Sequence, residues 1–178
     1  MVCKKNKRNI EYEGEIMVKE KRIFRYELAD AWGDTISQVD VIENLEKGNV
    51  RCLYFERNRS LDDEANTKID FFTATISCED ISKIKKAMYK HKVIFSFKDV
   101  EFPMVLDGVI NTFEFILEKD LINEIKAFNI WVFDEATDVG FFGKPEPPYK
   151  GKEVVMLYNE ISQILMDNGV NEKYLKLC

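Results

Sequence analysis

The stretch KIDFFTATISCEDISKIKKAMYKHKVIFSF, residues 68–97, decides the fold class. Lys68–Ile76 is rich in Phe, Thr and Ile, the composition of a strand. Ser77-Cys78-Glu79-Asp80 then offers a helix N-cap with an acid three residues on, the form of a capping box. Ile81, Ile84 and Met88 follow at i, i+3 and i+7, one stripe of a helix. Lys90-His91-Lys92 closes that helix with charges that suit its negative end. Val93–Phe97 reads as strand again, so the segment predicts strand, helix, strand.

Towards the C-terminus the pattern repeats over 109–133. Asp107-Gly108 is a hairpin signal between Glu101–Leu106 and a strand at Val109–Leu117. Asp120 is expected to cap a second helix carrying Leu121, Ile125 and Phe128, and Ile130–Phe133 to form a short strand. The order β-α-β-β-α-β over 68–133 is that of a ferredoxin-like core. A last helix, 151–168, places Val154, Leu157, Tyr158, Ile161 and Leu165 on one face, and Asn168-Gly169 ends it.

Towards the N-terminus, residues 10–57 are β-rich. Ile10, Tyr12, Ile16 and Val18 alternate with glutamates, and Phe24, Tyr26 and Leu28 repeat the period, with Lys19-Glu20-Lys21 as a hairpin tip between them. Residues 35–47 are ambiguous: Ile36, Val39, Ile42 and Leu45 recur every third position, which drifts around a helix. Val50–Arg57 is strand, and Asn58–Asn66, with Asp62-Asp63-Glu64, reads as an exposed loop. The expectation is a single α+β domain with an antiparallel or mixed sheet and two or three packed helices.

Charge and composition narrow the function classes. The 178 residues carry a net charge of −6. Residues 1–25 hold eight basic side chains against four glutamates, a surplus of four, so the remainder carries −10. So acidic a body repels a phosphate backbone, which disfavours nucleic acid as partner and leaves the basic arm as a solvated terminus. No apolar run approaches the ~18 residues of a membrane span, and no signal-peptide pattern opens the chain. Cys3, Cys52, Cys78 and Cys178 are far apart without a CxxC, so free thiols and a cytoplasmic location are expected. Twenty lysines against six arginines point to an AT-rich bacterial coding genome.

Chemistry-bearing motifs are few. His91 is the sole histidine, which excludes His-pair zinc sites, and its place between two lysines reads as a solvated helix end. Neither GxGxxG nor GxxxxGK[ST] occurs, and Asp62-Asp63-Glu64 lacks the glycine and distal glutamate of a calcium loop. No catalytic residue, metal or cofactor is therefore assigned.

The remaining signal lies in the irregular stretch 134–150, unusually long for a compact domain. Asp134, Glu135 and Asp138 cluster after an expected strand end, followed by Phe141, Phe142 and Tyr149 among prolines and charges. Apolar anchors ringed by charge resemble a protein-binding patch. The six are the candidate partner-binding residues: the acids steer a basic protein partner and the rings anchor it. The profile, small, acidic and cytosolic with such a loop, fits bacterial immunity proteins, which neutralise a cognate toxin that is often basic. No motif identifies a family. The alternatives are a carboxylate-based, metal-assisted hydrolase and a small-molecule-binding regulatory domain with a cavity between sheet and helices.

Overall fold

The computed structural model describes residues 20–30, 32–44, 47–58, 66–96, 109–118, 120–127 and 151–177. Among the described residues, six strands form one fully antiparallel sheet: β1 Lys21–Asp30, β2 Thr35–Glu43, β3 Gly48–Asn58, β4 Asn66–Ile76, β5 Val109–Glu118 and β6 Leu121–Ala127. Their order is β4-β3-β2-β1-β5-β6. The first four strands make a meander, and β5 returns to the free edge of β1. The fold is α+β.

Two helices cover one sheet face, α1 (Cys78–Lys90) and α2 (Gly151–Asp167). The α1 start carries the expected Ser77 N-cap: its hydroxyl accepts from the Asp80 backbone N–H at 3.1 Å and donates to the Asp80 carboxylate at 2.6 Å. Helix α2 ends in a Schellman motif. Gly169 takes φ +86°, Gly169 N–H donates to Met166 O at 2.9 Å and Val170 N–H to Leu165 O at 3.1 Å. The chain is thereby turned back across the sheet as a 3-10 turn, Glu172–Tyr174.

The core lies between that face and the helices. Register aligns Phe115, Phe24, Val41 and Val50 in one row and Phe113, Tyr26, Val39 and Cys52 in the next. A bulge at Ile23 lets Ile23 and Phe24 both be buried. Tyr158 of α2 meets Tyr26 at 4.8 Å, Phe113 at 5.2 Å and Phe24 at 6.3 Å between ring centroids. The Tyr26 hydroxyl lies within hydrogen-bond distance of Asn111 Oδ1 and Lys176 O, and the Tyr158 hydroxyl donates to Leu175 O, so both buried phenols are satisfied. Gly48 is needed where β3 passes under α1: a Cβ there would lie 2.5 Å from Ile81 Cδ1.

Two sequence expectations are corrected. Lys92–Ser96 is a 3-10 helix rather than a strand; of its apolar residues only Ile94 is buried. Leu121–Ala127 is a strand, not a helix capped by Asp120; it pairs with β5 through a tight hairpin, Glu118 opposite Leu121. With both changes the described residues from 68 onward do not form a β-α-β-β-α-β unit. The ambiguous 35–47 stretch supplies β2. Residues 10–18, the strands expected at 101–106 and 130–133 and the core of the 58–66 loop lie outside the described residues.

Candidate functional site: the open face of the sheet

Side chains alternate across a pleated sheet, so every strand that faces the helices also presents a second face. An antiparallel sheet with one solvated face normally carries polar residues there. This one does so only in part. In the middle, Arg25 holds Asp40 with two parallel hydrogen bonds, Nε to Oδ1 at 2.7 Å and Nη2 to Oδ2 at 2.8 Å. Gln38 donates to the same carboxylate at 2.8 Å, and Arg22 donates from Nε to Glu114 at 2.8 Å. The bond to Asp40 raises the Arg25 pKa further. These are fork-shaped pairs on partly buried side chains, a belt that fixes the geometry of β1, β2 and β5.

Beyond the belt the face turns apolar. Ile110, Ala29, Ile36, Phe55 and Ile69 stand opposite one another across β5, β1, β2, β3 and β4. Leu53 and Phe71 pair in the row before it. Phe71 is 74% exposed and Ile69 56%. At the same end the β1–β2 turn carries Trp32, 64% exposed. The Asp30 carboxylate builds that turn, accepting from Trp32 N–H at 2.8 Å, Asp34 N–H at 2.9 Å and Thr35 N–H. Burial pushes the Asp30 pKa up, but the backbone donors Asp34, Trp32 and Thr35 outweigh it and hold it low. Gly33, at φ +69°, completes the turn. A five-strand apolar row with flanking aromatics is a contiguous patch of the kind that marks an interaction surface.

The sequence-predicted residues Asp134, Glu135, Asp138, Phe141, Phe142 and Tyr149 lie outside the described residues. The last described residue before them is Ala127, which pairs with Asn111 beside Ile110 of the apolar row.

His91 corrects the solvated reading. It is the α1 C-cap, only 4% exposed, with Nδ1 2.8 Å from Glu153 Oε2 and Nε2 3.1 Å from Glu160 Oε1. Both ring nitrogens thus lie within hydrogen-bond distance of a carboxylate. Hydrogen bonding from Lys90, against the effect of burial and with help from His91, lowers the Glu160 pKa. With each ring nitrogen facing a carboxylate, this arrangement ties α1 to α2.

The other chemical candidates are few. Among the described residues no group of three His, Cys, Asp or Glu side chains could hold a metal ion. Cys78 is exposed, and burial pushes the Cys52 thiol up to about 12. The space between sheet and helices, where a small ligand was an alternative, is filled by the rings around Tyr158. A cleft of about 370 Å³ lies instead between α2 and the C-terminal turn, lined by Ser162, Gln163, Glu172 and Lys176 among others. Among the described residues no helix is long and apolar enough to cross a membrane. No protein-family model matches the chain, and no curated protein or solved structure matches it.

Proposed function

We propose that this chain is a non-catalytic, cytoplasmic protein-binding domain of the immunity or inhibitor type, which neutralises a basic, toxin-like protein partner. The observation that carries this reading is the apolar row Ile110–Ala29–Ile36–Phe55–Ile69 with Phe71 standing proud of it. Burying a fully exposed Phe or Ile side chain is worth about 1.5–3 kcal/mol, so a few such residues suffice for a specific contact. The net charge of −6 favours encounter with a cationic surface. Asp134, Glu135 and Asp138 steer that encounter, and Phe141, Phe142 or Tyr149 extend the apolar contact from the loop.

The test combines capture of a partner from source cells with two classes of variant. Replacing the three acids by Asn or Gln should slow association and flatten its salt dependence; Phe71→Asp should speed dissociation. A tight protein partner indifferent to both classes refutes the site, and binding of small molecules alone refutes the function.

A further inference from the structure

We propose that β4 is a self-association edge, along which two copies of this chain pair antiparallel about a two-fold axis at Ile69. β4 ends the strand order on one side, and among the described residues no strand pairs with its outer edge. Natural sheets blunt such an edge with a proline, a bulge or a very short strand. β4 has none of these devices. It is 11 residues long, contains no proline, and keeps register with β3 from Ile76 opposite Gly48 to Asn66 opposite Asn58 without a shift. It also carries the exposed Ile69 and Phe71. A strand of this kind is a template for the addition of another strand.

The charges on β4 select both the occupant and the register. Directly opposite residues of an antiparallel pair either exchange hydrogen bonds across the gap or both point away from it, and the two states alternate along each strand. A strand paired with its own copy must therefore have its two-fold axis at a residue, not between two. An axis at Lys68 or at Asp70 sets like charges face to face, and one at Phe71 sets Lys68 against Ala74. With the axis at Ile69, Lys68 of each copy faces Asp70 of the other, which gives two opposite-charge pairs along one edge. Both side chains share the helix-facing side of β4 with Phe72, which stacks on Tyr174, and Lys173 of the same turn already holds Asp70. On the open side Ile69 meets its counterpart and Phe71 lies diagonal to it, so the apolar row runs on from one sheet into the next. The contact is self-complementary and closes at two copies. It requires no other partner, so it stands or falls independently of the proposed function.

The experiment is sedimentation of the full chain at low salt over a concentration series, with Asp70→Lys and Lys68→Asp as separate variants. The unmodified chain should form a dimer. Each variant alone sets like charges opposite one another twice, and should weaken self-association at least about tenfold. Mixed in equal amounts, the two variants should dimerise with each other, because every Lys then faces an Asp. Loss of the Asp70–Lys173 contact within one chain cannot produce that recovery. An unmodified chain that stays monomeric overturns the proposal. So does a dimer that survives both variants, or one that the mixture fails to restore.

Discussion

Replacing His91 with Leu keeps an apolar body of similar size at the α1 C-cap and removes both ring nitrogens. Its polar contacts to the two carboxylates are lost, at 2.8 and 3.1 Å. Such bonds are worth about 1.5–3 kcal/mol when their partners are buried. Here the Glu153 and Glu160 side chains are 40% and 36% exposed, so water can reclaim them. Discounting each bond to about 1 kcal/mol gives about 2 kcal/mol in total. At a urea m-value of about 2 kcal/mol/M, the unfolding midpoint should fall by about 1 M with the slope unchanged. A double-mutant cycle with Glu153→Gln should return a coupling of about 1 kcal/mol. A midpoint that stays put or rises, or a coupling near zero, would show that the clamp contributes nothing and restore the solvated helix-end reading, for which about 1 kcal/mol is the ceiling.

Gly48→Ala should destabilise by about 1–3 kcal/mol through the clash with Ile81, and Ile81→Val in the same chain should recover part of it, both read by denaturation. Cys78 is exposed and should react with a thiol reagent in the native state at pH 8, whereas Cys52, with its thiol pushed up to about 12 by burial, should react only on unfolding. Because the Glu160 pKa is held below its ordinary range in the folded state, its contribution is present above that range and lost as pH falls through the folded value. Glu160→Gln should therefore flatten the acid limb of the midpoint-versus-pH curve while lowering the midpoint at neutral pH.

Local signals carried much of the fold. The alternation Phe24-Tyr26-Leu28, the Ser77 cap with its acid at Asp80, and the Asn168-Gly169 stop each specify an element through contacts within a few residues. The misread elements had two valid periods. Leu121, Ile125 and Phe128 fit a helical stripe, yet positions 121–127 are also a seven-residue strand, and β5 alongside decides between them. In the same way Ile36, Val39 and Ile42 drift around a helix but sit well in a strand between two neighbours.

The candidate site was less legible. Ile36, Phe55, Ile69 and Ile110 belong to four strands, and only the strand order and register bring them into one row. His91 likewise finds partners 62 and 69 residues away, which flanking lysines could not announce.

The central claim, that the open face is a protein-contact surface, is tested most directly by the dissociation rate of the captured complex with Phe71→Ala. The side chain is 74% exposed, so stability should change by no more than about 0.5 kcal/mol. Loss of an anchoring ring costs about 2 kcal/mol, so the complex should dissociate about 30-fold faster with little change in association. A dissociation rate equal to that of the unmodified chain, at equal stability, would contradict the claim.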